Sequence, residues 1–206
     1  MSKKALNHFK KVDPALHKAA VKHQAALVPS ERRPKDPFVS LCRSIVGQQL
    51  SGKAARAIWT RFIALFLKDN PTPRKIMAMN DMQLRASGLS FGKIKALRAL
   101  SETALKKKKL FANLHTLPDD TIREELVQIH GIGPWTVEMF LMFTLLREDV
   151  FSPGDLGLRK GIARLDELDV TPTQKEAAER AERWQPHRTA ASLILWAITD
   201  DEDWFA

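Results

Sequence analysis

An aspartate that follows a Pro-Gly turn is the residue of this chain best placed to do chemistry. Asp155 stands in the run Ser152-Pro153-Gly154-Asp155-Leu156, directly before an apolar pattern with helical spacing. An aspartate in that position often caps a helix, because its carboxylate accepts hydrogen bonds from the first backbone N–H groups. A fixed carboxylate can also stabilise a positive charge that develops in a reaction. The residues alone favour the capping role, because most aspartates in such a position only cap a helix.

A turn framed by glycines lies upstream, in the run Leu126-Val127-Gln128-Ile129-His130-Gly131-Ile132-Gly133. We expect Ile132 to point into the core while the flanking glycines let the backbone turn sharply. N–H groups at the start of the following helix lack intrahelical partners and form an anion site, whose natural occupant is a duplex phosphate. Pro134 at an early helical position removes one such donor. A plain turn between two helices is the alternative, and the apolar framing favours the helix-hairpin-helix.

The elements that must position these residues are all helices, because alternating β patterns are absent and apolar residues recur at helical spacing. Ser51 and either Asp119 or Asp120 are the expected N-caps, and Pro186 is expected at the start of the last helix. Lys93 is expected to face outward from a basic amphipathic helix. The predicted helices cover residues 38–46, 51–66, 73–79, 81–87, 91–109, 119–129, 136–146, 156–165, 173–183 and 186–199.

The positive charge is unevenly distributed along the chain. The net charge is +9, yet residues 161–206 carry five Lys/Arg and ten Asp/Glu, whereas residues 1–160 carry 28 and 14. A basic domain suits a polyanionic partner such as nucleic acid. Because basic soluble proteins are common, the charge permits this partner without identifying it.

Several protein classes are disfavoured by composition. A single cysteine, Cys42, excludes an internal disulfide and an iron–sulfur cluster ligated by this chain alone. No stretch approaches the roughly 20 apolar residues of a membrane helix, and no apolar signal core follows Lys3 and Lys4. We expect a cytoplasmic protein without a membrane partner, associated with the nucleoid in a bacterium or located in the nucleus of a eukaryote. The six histidines show no metal-ligand spacing.

Taken together, four segments resemble the helix-hairpin-helix DNA glycosylase superfamily, and within it the compact DNA-3-methyladenine glycosylase II type. The resemblance spans about residues 36–200. The segments, in the family's order, are Ile45–Ser51, the hairpin with Trp135, Phe151–Lys160, and Arg183–Arg188 with Leu195-Trp196. It implies two helical lobes with the active-site cleft between them. One lobe would cover 36–150 and contain the hairpin at about 121–146, and the other would combine 1–35 with 151–206.

The resemblance also implies roles for particular residues, with Asp155 as the catalytic carboxylate. A flipped base would be held in a pocket, a loop would fill the gap it leaves, and the hairpin would bind phosphate. The residues implied are Trp135, Trp196, Gln48, Met139 and Leu156 for the pocket, Gln49 and Leu50 for the wedge, and Gly131, Gly133, Trp135 and Thr136 for the phosphate. By position, the carbonyls of Val127, Ile129 and Ile132 would hold a Na⁺ or K⁺ ion.

Trp135 bears on the type of reaction. Glycosylases that also cut the strand carry a lysine nucleophile at this position, and its absence implies base excision without a lyase step. The expected function is therefore hydrolytic removal of alkylated purines, such as 3-methyladenine, from double-stranded DNA by a monomer that needs no cofactor for catalysis. Met139 and Leu156 stand where the bacterial enzyme of this type has tyrosines, which leaves the substrate range open. A non-catalytic DNA-binding helix-hairpin-helix protein is the alternative, and a bifunctional oxidised-base glycosylase is disfavoured by Trp135.

Overall fold

The computed structural model describes residues 2–23, 36–66 and 70–199, which form helices without a strand. The all-α prediction is therefore confirmed. None of the helices in these ranges is both long enough and apolar enough to cross a membrane. The α-helices are α1 (Lys3–Val12), α2 (Pro14–Lys22), α3 (Pro37–Gly47), α4 (Gly52–Ala64), α5 (Pro73–Ala78), α6 (Asp81–Ala86), α7 (Phe91–Lys106), α8 (Lys108–Asn113), α9 (Asp119–Leu126), α10 (Pro134–Phe143), α11 (Leu156–Leu165), α12 (Gln174–Ala181) and α13 (Arg188–Thr199).

The chain divides into two compact units, and the first to be described covers residues 33–145. Its centre is α7, which packs against α3, α5 and α6. Ile94, Leu97 and Leu100 recur at helical spacing on the buried face of α7. The hairpin helices α9 and α10 pack against each other, and α10 also packs against α3. This unit therefore carries the hairpin on a helical core of its own.

The second unit combines residues 1–32 with 146–206. Its closest helix pair is α11 and α13, which meet at Gly161. A Cβ atom at Gly161 would lie 2.7 Å from the carbonyl oxygen of Leu195, so a larger residue would push the helices apart. This close approach sets the distance between the start of α11, where Asp155 lies, and the middle of α13.

A buried ionic cluster ties α2 to the C-terminal helices of this second unit. Arg180 on α12 contacts Asp13 at 2.6 Å and Asp166 at 2.7 Å, and Asp13 is 4% exposed. The indole N–H of Trp184 donates to Asp13 at 2.8 Å, and the Arg180 guanidinium lies over the Trp184 ring. The single guanidinium of Arg180 thus pairs with both carboxylates, which stabilises the charge of the buried Asp13.

The prediction of one continuous helix over 91–109 is wrong. The helix α7 ends at Lys106, Lys107 leaves helical geometry, and α8 begins at Lys108. On a continuous helix Lys106 and Lys109 would lie three positions apart on one face, where like charges repel, and Lys107 instead pairs with Glu125 at 2.5 Å. The outward orientation expected for Lys93 is also wrong: its side chain is partly buried, and Nζ donates to the carbonyl of Val46 at 2.6 Å.

The N-cap prediction for Ser51 is confirmed, since its hydroxyl accepts the Ala54 N–H. The prediction for Asp119 or Asp120 is wrong. Pro118 occupies the N-cap of α9, and the two aspartates lie in the first turn, where negative charge is favourable for the helix dipole.

The predicted start of the last helix at Pro186 is also wrong, because α13 begins at Arg188. Pro186 instead belongs to a turn that is closed by a hydrogen bond from the His187 N–H to the Trp184 carbonyl at 2.7 Å. A proline shortly before a helix is compatible with a turn as well as with the first helical position, and the sequence does not distinguish the two.

Candidate active-site carboxylate and hairpin

Asp155 occupies the N-cap of α11, so the capping role that its sequence context suggested is real. Its Oδ1 accepts the Leu158 backbone N–H at 2.8 Å. The same oxygen accepts the indole N–H of Trp196, on α13, at 3.1 Å. Two donors on one oxygen fix the direction of the carboxylate. Capping and a chemical role are therefore compatible, because the cap is part of what orients the group.

The loop that delivers Asp155 is anchored at its start by the first residues of α13. Arg188 forms a two-point ion pair with Asp149, with distances of 2.8 and 3.0 Å. The hydroxyl of Thr189 donates to the Arg147 carbonyl at 2.7 Å and accepts the Val150 N–H at 3.1 Å. The helix α13 thus holds residues 147–150, which precede the loop, and through Trp196 it also holds the carboxylate of Asp155, which follows the loop.

The turn before Asp155 starts from buried residues and ends near the surface. Ser152 is inaccessible to solvent, and its carbonyl accepts the Asp155 N–H at 3.0 Å across Pro153 and Gly154. Phe151 packs edge-on against the fully buried ring of Trp184. The Pro-Gly pair itself lies toward the surface, where Gly154 is exposed, so the turn reverses the chain between the buried Ser152 and the start of α11.

The two hairpin glycines serve different purposes. Gly131 has φ +85°, and a Cβ atom there would lie 2.4 Å from the Cβ of Ala96 on α7. Gly133 is the N-cap of α10 with φ −98°, and a Cβ atom there would meet no atom of the described residues within 4 Å. Ile132 between them is 3% exposed, as expected. Gly131 is therefore required by the fold, whereas Gly133 leaves open space beside the N-terminus of α10.

Among the predicted pocket and wedge residues of the unit 33–145, Gln48 contacts the hairpin. Its side-chain amide donates to the Gly131 carbonyl at 2.9 Å and to the Thr136 hydroxyl at 3.0 Å. Gln49 is exposed and has φ +58°, and Leu50 is partly exposed. The loop between α3 and α4 is thus joined to the turn between α9 and α10.

The remaining predicted pocket residues differ in exposure. Met139 and Trp196 are 4% and 5% exposed, whereas Leu156 is 51% exposed and Trp135 is partly exposed. Asp155, Leu156 and Trp196 are grouped in one unit, and Gln48, Trp135 and Met139 belong to the other. Sequence reasoning missed the roles of Lys93, Arg188 and Thr189, because the bonds that define them join residues far apart in sequence.

Comparison with known proteins decides the family. The model of the HhH-GPD superfamily of base excision DNA repair proteins matches residues 42–187. The chain belongs to this superfamily. The matched range contains the Gln48 loop, the hairpin and Asp155, and it ends at the turn before α13.

Individual proteins similar to this superfamily member are named as 3-methyladenine DNA glycosylases or glycosidases. It is 37% identical to DNA-3-methyladenine glycosylase 1 of Schizosaccharomyces pombe over 82% of this chain and 75% of the relative. Among solved structures, it is similar to an S. pombe 3-methyladenine DNA glycosylase in complex with abasic DNA, with a TM-score of 0.84 and 35% identity over 94% and 95% of the two chains. A DNA-3-methyladenine glycosidase from Bacillus halodurans matches with a TM-score of 0.71 and 33% identity over 91% and 89%.

Proposed function

We propose that this protein is a monofunctional DNA glycosylase that removes alkylated purines, such as 3-methyladenine, from double-stranded DNA and leaves an abasic site. The observation that carries the proposal is the carboxylate of Asp155, whose Oδ1 is held by the Leu158 N–H and the Trp196 indole in the loop after a helix-hairpin-helix. The relatives named as 3-methyladenine glycosylases support an enzyme over a DNA-binding module without chemistry.

The chemistry assigned to Asp155 is electrostatic. Cleavage of an N-glycosidic bond develops positive charge on the sugar, and an oriented carboxylate stabilises that charge or directs the attacking water. An alkylated purine such as 3-methyladenine is already cationic and departs readily, so the reaction needs no strong general acid. The single carboxylate of Asp155 is therefore expected to be sufficient for the reaction.

Before this step the base must leave the base stack of the duplex, and the hairpin would bind the duplex while it does so. The N–H groups at the start of α10, beside Gly133 and Thr136, would contact a phosphate. We assign Trp135, Trp196, Met139 and Leu156 to the base pocket, with Gln48 alongside it, and Gln49 with Leu50 to the wedge. A cationic base is held well against tryptophan faces. Trp135 also replaces the lysine that a strand-cutting enzyme would use, which supports hydrolysis alone.

A monovalent cation would strengthen the phosphate contact. The carbonyl oxygens of Val127, Ile129 and Ile132 lie in the turn between α9 and α10, and backbone carbonyls can replace the hydration shell of a monovalent cation such as Na⁺ or K⁺. The Ile129 carbonyl accepts the Ile132 N–H at 3.0 Å, which leaves it one further lone pair. When bound, the ion would supply positive charge toward the DNA backbone and no chemistry on the base.

The experiment that tests the function compares wild type with Asp155→Asn on methylated duplex DNA, measuring released bases and alkali-labile sites. Asparagine also caps helices well, so the variant should fold. We expect excision to fall by at least about 100-fold. Asp169→Asn, in an exposed loop residue, is the matched control and should keep wild-type activity.

Three results would contradict parts of this proposal. Equal release by Asp155→Asn would remove the catalytic assignment. Absence of release by the wild type, together with tight duplex binding, would favour the non-catalytic alternative. Strand cleavage without alkali would contradict the interpretation of Trp135.

A further inference from the structure

The loop between α3 and α4 holds a conformation that its residues do not favour by themselves. Gln49 has φ +58°, in the left-handed region that few residues other than glycine occupy. Its side chain is exposed, and the turn is closed locally by the Leu50 N–H donating to the Gly47 carbonyl at 3.3 Å. Such a backbone persists when its surroundings hold it, and two side chains, one beside the loop and one within it, bond across to neighbouring elements.

The first is Lys93, in the first turn of α7. Its ammonium donates to the carbonyl of Val46 at 2.6 Å, in the last turn of α3. Carbonyls at that end have no intrahelical donor and carry partial negative charge, so a cation there is favourable. Burial lowers the pKa of Lys93, which reflects an ammonium drawn partly out of water toward this one acceptor.

The second is Gln48, which starts the loop. Its amide nitrogen donates to Gly131 in the hairpin turn at 2.9 Å and to Thr136 in the first turn of α10 at 3.0 Å. Both amide hydrogens are thereby used across 83 and 88 positions of sequence. Gly131 in turn rests on Ala96 of α7, the helix that carries Lys93. The loop, the hairpin and α7 thus form one closed set of contacts.

We propose that Gln48 and Lys93 are positioning residues that hold the segment Gly47–Leu50 ready for insertion into the duplex and link that insertion to the phosphate grip of the hairpin. This inference rests on the proposed function, within which Gln49 and Leu50 form the wedge. Extruding a paired base requires the wedge, whereas a base that is already unpaired costs less to extrude. Loss of either positioning residue therefore costs most on paired lesions.

The test measures single-turnover excision of one 7-methylguanine, placed either opposite cytosine or in a one-nucleotide bulge. We expect Gln48→Ala and Lys93→Gln to slow excision from the paired site about tenfold and from the bulge by less than about threefold. Lys95→Gln, an exposed neighbour on α7, is the matched control for the lysine and should leave both rates unchanged. Thr136→Val removes one acceptor of Gln48 and should act like Gln48→Ala, whereas Thr136→Ser keeps a hydroxyl and should restore the wild-type ratio.

A second readout follows insertion without chemistry. 2-Aminopurine beside an abasic-site analogue brightens when the neighbouring stack opens, and we expect Gln48→Ala to reduce that signal at saturating protein. Thermal melting of every variant checks that the fold is kept. Equal slowing on both substrates, or unchanged rates and fluorescence, would overturn the inference. If the wild type excises nothing but the 2-aminopurine signal still depends on Gln48, the proposed function fails and the positioning role stands; if the wild type gives neither signal, both fail.

Discussion

At the scale of single residues, the helix cap that Asp155 forms is compatible with the catalytic role proposed for it, although sequence reasoning treats the two as competitors. Its Oδ1 caps α11 through the Leu158 N–H and receives the indole N–H of Trp196. A charged acceptor bonded by two donors loses freedom of rotation, which is useful to a group that must face a developing charge. Trp196 therefore has an orienting role besides the pocket role that the family resemblance implies.

Replacing Trp196 by phenylalanine should separate these roles. The variant keeps an aromatic ring but removes the N–H bond to Asp155, and a hydrogen bond to a charged group contributes about 1.5 kcal/mol, equivalent to roughly tenfold in rate. We expect single-turnover excision to fall about tenfold. Affinity for duplex with an abasic-site analogue should change by less than about threefold.

Two controls make this result specific. Trp59→Phe, at a ring that packs against Phe62, should leave excision unchanged. In the Asp155→Asn background, Trp196→Phe should have little further effect, because the oxygen it orients no longer carries charge. Additive losses in the double variant would contradict an orienting role for the indole.

At the scale of elements, the hairpin shows that one motif can hold two glycines for different reasons. The left-handed backbone of Gly131 and its contact with Ala96 are requirements of folding. Gly133 has an ordinary backbone and open space where a side chain would project. No contact among the described residues therefore requires a glycine here, and the phosphate contact proposed for this N-terminus is what its small size would serve.

The matched substitutions Gly131→Ala and Gly133→Ala test this difference. We expect Gly131→Ala to lower the free energy of unfolding by about 2 kcal/mol or more, through backbone strain and overlap with Ala96. Gly133→Ala should change it by less than about 0.5 kcal/mol and weaken duplex binding several-fold. Urea unfolding and fluorescence anisotropy give the two measurements. Full affinity of a stable Gly133→Ala protein would argue against phosphate binding at this N-terminus.

The ionic cluster that ties α2 to α12 makes a prediction about pH. Burial by itself raises the pKa of Asp13, but the bonds from Leu16, Trp184 and Arg180 outweigh it and leave the pKa below its ordinary value. A carboxyl whose pKa is depressed in the folded state stabilises the protein above its unfolded pKa and loses this contribution as pH falls through the folded pKa.

We therefore expect Asp13→Asn to cost about 3 kcal/mol of unfolding free energy at pH 7, because it leaves a buried arginine with one carboxylate fewer. The difference from wild type should shrink below about pH 4, as Asp13 of the wild type becomes protonated. Urea titrations at pH 7, 5, 4 and 3 measure it. A difference that stays constant down to pH 3 would mean that the charge of Asp13 is not the stabilising feature.

At the scale of the whole molecule, the positive charge belongs to the unit that carries the hairpin. Residues 33–145 hold 18 Lys/Arg and nine Asp/Glu, whereas residues 1–32 and 146–206 together hold 15 of each. The entire net charge of +9 thus resides in one unit. A polyanion is attracted to the part of the chain whose hairpin would bind its phosphates.

Duplex binding should accordingly weaken as salt is raised. For roughly four neutralised phosphates, affinity should fall about 100-fold between 50 and 200 mM salt, with a linear dependence of log K on log salt concentration. Fluorescence anisotropy of Asp155→Asn with an undamaged duplex measures this without turnover, and a second duplex of different sequence should give the same slope. Salt-independent affinity would contradict a phosphate-dominated contact.

The local sequence determined a large part of this protein. Helical periodicity, the Ser51 cap, the glycine-framed turn and the aspartate after Pro-Gly all follow from neighbouring residues, because helix formation and capping depend on contacts three or four positions apart. Prediction from the local sequence failed where the local signals are ambiguous. Two aspartates near Pro118 fit either the cap or the first turn, and four lysines in a row fit either a long helix or a break.

Tertiary structure decided which of these residues act together. The bonds from Trp196 to Asp155, from Gln48 to Gly131 and from Lys93 to Val46 join positions 41, 83 and 47 residues apart. No local pattern encodes such pairings, because they depend on how closely helices pack, as α11 and α13 do at Gly161. The sequence by itself thus located the capping aspartate Asp155 and the glycine-framed hairpin turn. Packing determined that an indole orients the first and that a glutamine and a lysine hold the loop beside the second, since a side chain's direction is set by the helix it grows from and by the neighbours that surround it.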